Sequence, residues 1–279
     1  LIRLVCIIRR YRVKSYLQNF KRFRPLLEEL VARDVKIKYR RSVLGVLWTL
    51  LNPLFMMIIL SVVFSNLFKF DVENYSLYIL SGQVVFNFFS GATTDAMSAI
   101  FGNASLIKKV YVPKYLFVVS RVFSSFINLL ASFTALLLVM IATRAELHWT
   151  VLLVPIPMLL LVVFSLGVGL VLSAITVKFR DIMHLYTVFT TALLYLTPVI
   201  YPMSILPSWL YKIVMLNPLT PMLMMFRNVM INNTLIDIPT LLITLVETIA
   251  MFLIGLYVFY KNQDDFISVS YTHLRAHET

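Results

Sequence analysis

The stretch RDVKIKYRRSVLGVLW, residues 33–48, changes character at its middle. Six of its first nine residues are charged, and its last seven carry no charge. Past Thr49 the chain continues as LLNPLFMMIILSVVF. A core helix of a soluble protein has no use for so abrupt an edge. A membrane does, because Lys and Arg stay at the aqueous surface while the apolar run enters hydrocarbon. The whole chain agrees. Its 279 residues are 60% hydrophobic and 14% charged, where an ordinary globular chain is about 25% charged. Several apolar runs exceed the ~18 residues that mark a transmembrane helix. The net charge of +12 would point to nucleic acid in a soluble chain. Here the basic residues cluster at the ends of apolar runs, so they point to membrane lipid and not to nucleic acid.

The fold class expected is all-α and integral to the membrane, with six transmembrane helices over residues 43–67, 75–100, 115–142, 150–176, 182–201 and 239–260. Each is long enough to cross about 30 Å of hydrocarbon at about 1.5 Å per residue. Twenty-one of the 25 Lys and Arg fall on one side of this arrangement, thirteen of them within residues 1–42. The other side has Lys69, Arg144, Lys212 and Arg227. The excess of Lys and Arg places both termini in the cytoplasm. The chain divides into a basic segment (1–24), a cytoplasmic interface helix (25–42), the six-helix domain (43–262) and a tail (263–279). Residues 268–279, SVSYTHLRAHET, read as artefact rather than native protein. No cleavable signal peptide is expected, and the first residue is Leu, which leaves the native start open. Cys6 is alone, so no internal disulfide forms, and the four histidines lack metal-ligand spacing.

Within this frame several motifs bear on function. Residues 25–41 suit an amphipathic helix on the membrane surface, with Pro25 at its first position and Glu29 paired with Arg33. A plain basic flank that sets topology is the other reading of the same charges. Asn52-Pro53 breaks the first span and predicts a kink. Gln83, Asn87 and Asp95 make the second span the most polar. An acid inside a membrane is a functional candidate, and Asp95 reads either so or as an interfacial residue; Glu247 raises the same question. Ser165, Gly169 and Ser173 form a small-residue face, within one chain or between two. Residues 202–238 are apolar yet broken by Pro202, Pro207, Pro218 and Pro221. They predict two short re-entrant helices at the outer interface, the alternative being a tilted pair of extra spans. Aromatic rings beside amides offer apolar faces and weak hydrogen bonds, which suit the wall of a channel. Tyr78, Phe86, Phe89 and Tyr195 beside Asn87 are the candidate lining, with ordinary packing as the competing role of the aromatic rings. No G-x-x-x-x-G-K-[ST] motif, catalytic triad or paired carboxylates occur, so no residue is expected to be catalytic and the chain itself does not bind ATP through a P-loop.

The segments RPLLEELVARDVKIKYRRSVLGVLWTLLNPL (24–54), SGQVVFNFFS (81–90), NASLIKKVYVPKYLFVVSR (103–121), VKFRDI (177–182) and LNPLTPMLMMFRNV (216–229) together resemble one family. It is the membrane subunit of ABC-2 type exporters of polysaccharides, the O-antigen and teichoic-acid export permeases. The resemblance covers about residues 22–266. It implies a homodimeric permease in the bacterial cytoplasmic membrane that moves lipid-linked polysaccharide. A separate ABC ATPase would carry ATP and Mg, leaving this chain without cofactor or metal. Arg33, Lys36, Arg40 and Arg41 would form the basic end of the interface helix. Leu106, Ile107, Lys108, Lys109, Val110 and Tyr111 would form a coupling helix on the ATPase. The broken segment after Tyr201 would form the outer gate. Two other roles compete: an ABC-2 exporter of a lipid or drug, and a membrane-embedded glycosyl- or acyltransferase, for which only Asp95, Asp181 and His184 offer anything. An ion-coupled transporter would need paired charges at mid-membrane, which the sequence lacks.

Overall fold

The computed structural model describes residues 22–38, 45, 47–68, 74–109 and 112–263, with side chains except at 65–68 and 108. Among these residues every regular element is helical. Helix α1 covers residues 22–38. It is followed by α2 (Leu47–Phe68), α3 (Tyr75–Met97), a one-turn helix Phe101–Asn103, α4 (Ala104–Lys109), α5 (Tyr115–Ala142), α6 (Pro155–Lys178) and α7 (Ile182–Leu196). The short helices α8 (Ser208–Met215) and α9 (Leu219–Met230) precede α10 (Ile238–Asn262).

Four stretches are long and apolar enough to cross a membrane: α2, α5, α6 with the turn leading into it, and α10. The 23 residues of α3 reach about 35 Å at the helical rise, but a polar stripe lowers their hydropathy. The 15 residues of α7 reach only about 22 Å. The sequence suggests a span continuing to 201. Instead the helix stops at Leu196, and Thr197 is extended (φ −109°, ψ 134°) because it precedes Pro198 and proline's ring disfavours the helical region there.

Packing centres on α6, which lies between α10 and α3. Small residues permit the approach. A Cβ on Gly167 would lie 2.8 Å from the Met251 backbone, and one on Gly255 would strike the Gly167 carbonyl. On the side facing α3, a Cβ on Gly169 would lie 2.8 Å from Ala96 Cβ. The Ser165/Gly169/Ser173 face is therefore used within the chain, and both serines are fully buried. Helix α10 opens with a cap: Asp237 accepts from the Thr240 amide (3.1 Å) and hydroxyl (2.7 Å). Those bonds favour its carboxylate and lower its pKa.

The broken segment after Tyr201 does form two short helices, but they differ in placement. Helix α8 is largely exposed. Helix α9 buries ten of its 12 residues, and Phe226 packs edge-on against Phe133 of α5 at 6.3 Å. Helix α1 seats on the bundle through Leu27 and Leu30 rather than lying free of it. Its expected Glu29–Arg33 pair gives way to other partners: Arg24 pairs with Glu28 at 2.7 Å, and Arg33 turns to Asp34.

Candidate functional site

A groove of mixed lining, largely apolar (Trp48, Met56, Leu60, Phe88, Leu129) but carrying a polar stripe, runs along one side of the bundle. On α3, Gln83, Asn87, Gly91 and Asp95 recur every four residues and so share a face. From the first to the last this stripe is about 18 Å long. Helix α2 contributes Asn52 and Pro53, α5 contributes Ser125, Asn128 and Ser132, and α7 contributes Leu194 and Tyr195. They enclose a cavity of about 830 Å³. Lys38 lies at its end nearest the basic clusters, and Val199 and Ile200 lie at the other. The Ser125 hydroxyl donates to Asp95 Oδ2 at 3.2 Å. Gln83 is 6% exposed, and its Oε1 is buried without a hydrogen-bond partner among the described residues. Gly91 faces open space: nothing lies within 4 Å of a Cβ placed there.

The five residues expected to line a channel fall in three places. Asn87 and Tyr195 lie in the groove. Phe86 and Phe89 are buried in the bundle, where the ring of Phe89 lies 6.0 Å from that of Phe164. Tyr78 does not line the groove but a separate pocket with Asn74, Arg144 and Arg227, and its hydroxyl donates to the Tyr201 carbonyl at 2.9 Å. The apolar rings of α3 fill space between helices, where burial stabilises them. Of the amides on the same helix, Asn87 is exposed to the groove while Gln83 is buried beside it.

The groove's far end is closed by residues 197–201. The Tyr75 hydroxyl donates to the Ile200 carbonyl at 2.6 Å, and Asn217 Nδ2 donates to Thr197 Oγ1 at 2.8 Å. Arg227 of α9 completes the closure. It is 5% exposed and donates to the Pro198 (2.6 Å), Val199 (3.0 Å) and Tyr78 (2.9 Å) carbonyls and to Ser81 Oγ (3.2 Å). Its guanidinium also stacks 3.5 Å from the Tyr78 ring centroid. Gly82 leaves room for it, since a Cβ there would lie 2.7 Å from Arg227 Nη2. Charge counting treats Arg227 as one more cation outside the spans. The missed signal is its position as the lone charge in the otherwise uncharged α9.

At the basic end, charged side chains tie three elements together. Asp34 of α1 is buried between Arg33 (2.9 Å) and Arg121 of α5 (3.4 Å). Arg33 also donates to Asn103 Oδ1 at 2.8 Å, and Asn103 immediately precedes α4. The Arg180 guanidinium lies 5.9 Å from the Phe101 ring centroid. Leu106 and Ile107 are half-buried against the bundle core, while Lys109 and Lys36 are exposed. Arg40, Arg41, Val110, Tyr111 and the side chain of Lys108 lie outside the described residues.

Residues 25–231 match the family described as ABC-2 type transporter. The chain is similar to the O-antigen export system permease protein RfbA of Myxococcus xanthus, with 28% identity over 246 residues that cover 88% of this chain and 95% of the relative. It is also similar to the protein of that name from Klebsiella pneumoniae, at 26% identity over 85% of this chain and 91% of the relative. Similarity to the polysialic acid transport protein KpsM of Escherichia coli is 20% over 85% of this chain and 93% of the relative.

Proposed function

This chain belongs to the ABC-2 type transporter family, and from that premise we propose that it is the membrane permease subunit of a polysaccharide exporter. The observation that carries the reading is the groove along the bundle into which Asn52, Gln83, Asn87 and Asn128 bring amides among apolar side chains. A long hydrophilic polymer cannot cross hydrocarbon unaided, and a lining of weak hydrogen-bonding groups lets it slide without being held. The relatives bearing names of O-antigen and polysialic acid transport span most of the chain.

The finer features follow from the same reading. Six spans cross the bacterial cytoplasmic membrane, α3 and α7 with the segment after it joining the four apolar ones, and both termini are cytoplasmic. Two copies face one another across the groove, each supplying half of the wall. The exposed apolar side chains of α2 and α7, among them Phe55, Ile58, Leu185 and Val188, suit a face covered by lipid or by the second copy. The polymer arrives on a lipid carrier. A separate ATPase binds beneath α4 and drives the cycle, with the 197–201 segment and α8 at the outer exit.

Gly91 gives a direct test because the space beside it is empty. Replacing it by Trp fills the groove without disturbing a packed neighbour. Surface polymer is expected to fall to background while the amount of folded protein in the membrane is unchanged. Export at the wild-type rate through Gly91→Trp would mean that polymer travels by another route.

A further inference from the structure

We infer that the polymer moving through this groove is uncharged along its repeat: a neutral, hydroxyl-rich glycan rather than a polyanion with a carboxylate or phosphate on each unit. The inference rests on the polysaccharide reading and narrows it. The groove's walls are α2, α3, α5 and α7, and these four helices together contain one Lys or Arg, namely Arg121. Arg121 is turned to Asp34 at 3.4 Å. Among the described residues the charged side chains lining the cavity are Lys38, at the basic end, and Asp95. From Asp95 to Ile200 the wall carries no cation. A second copy closing the groove with the same helices would add none.

A polyanion at membrane depth would need such cations. Charge in a low-dielectric surrounding is costly unless paired, and pores that pass anions or phosphates carry rings of Arg or Lys. Asp95 makes the wall less hospitable still to an anionic repeat. The hydrogen-bonding inventory points the same way. A sugar hydroxyl both donates and accepts, whereas an ionised carboxylate or a phosphodiester only accepts. Asn52, Asn87 and Asn128 offer amide donors and acceptors to the same hydroxyls.

The test uses the permease with its ATPase in proteoliposomes and two lipid-linked polymers of equal length. One is a neutral hexose polymer, and the other bears a carboxylate on every unit. ATP-dependent transport of the neutral polymer is expected to exceed that of the anionic one by about tenfold or more, the ratio that ~1.4 kcal/mol of discrimination produces. Introducing Asn87→Lys with Asn128→Lys should shift the ratio toward the anionic polymer. Equal or faster transport of the anionic polymer by the wild-type protein overturns the inference. A wild-type preference that the two lysines leave unchanged overturns it too, because selection would then lie outside the groove. Transport of neither polymer overturns the polysaccharide reading itself, and the inference with it.

Discussion

Arg227 is a buried cation held by three carbonyls, a hydroxyl and an aromatic face, with no carboxylate in reach among the described residues. The fork geometry of a guanidinium lets one side chain serve several acceptors in a plane, which a single ammonium cannot do. Two of those carbonyls belong to Pro198 and Val199, where the chain leaves α7 and no helix supplies donors. Arg227→Lys is therefore expected to keep the charge and still destabilise the protein by about 1–3 kcal/mol, the cost of leaving a buried acceptor unmatched. Thermal unfolding in detergent measures this, and Arg227→Ala should be worse. An unchanged unfolding midpoint for the lysine variant would show that the fork is not what holds residues 197–201.

At the scale of the element, two glycines in helices should respond oppositely to the same change. Gly167 faces the backbone of α10, and a methyl there would sit 2.8 Å from Met251 main-chain atoms. Main chain cannot swing aside as a side chain does, so α6 and α10 must part. Gly167→Ala is expected to cost about 1–3 kcal/mol through overpacking. Gly91 lies in α3 with nothing within 4 Å of its would-be Cβ. Gly91→Ala should be neutral or stabilising by up to about 1 kcal/mol, because alanine loses less backbone freedom in a helix. Comparing the two unfolding curves separates packing from propensity. Matching losses would mean that α3 is packed at Gly91 after all.

Across the whole molecule, the Asp34 cluster connects the first helix to the base of the bundle and to the turn before α4. The buried carboxylate has guanidinium partners from α1 and α5, and Arg33 carries the connection on to Asn103. A force applied at α4 would thus reach α1 through bonds rather than through lipid. Asp34→Ala strands Arg121 and should cost about 3–5 kcal/mol, the penalty for breaking a buried ion pair. The exchanged pair Asp34→Arg with Arg121→Asp should recover part of the stability. If the cluster transmits motion, the exchange should also restore export per ATP hydrolysed, measured in cells and proteoliposomes. An exchanged pair that is stable yet uncoupled would assign the cluster to folding alone.

The sequence by itself determined that this is a helical membrane protein, because apolar run length and the clustering of Lys and Arg are local properties set by hydrocarbon thickness. It placed α5 at residues 115–142 as found, and it placed a short helix over residues 106–111, of which the described part lies in α4, Ala104–Lys109. Tertiary structure alone decided which side of α3 meets water. Phe86, Asn87, Phe88 and Phe89 are consecutive, and their periodicity cannot say which neighbour each will face; the approach of α5 and α6 buried Phe86 and Phe89 in the bundle and left Asn87, with the edge of Phe88, to the groove. Arg227 and Asp34 were hidden for the same reason. Each is one charge among many in the sequence, and its burial depends on partners 28 to 149 residues away in the first case and as far as Arg121 in the second. A side chain's type sets what it requires, and only the packed neighbours decide whether that requirement is met by water, lipid or protein.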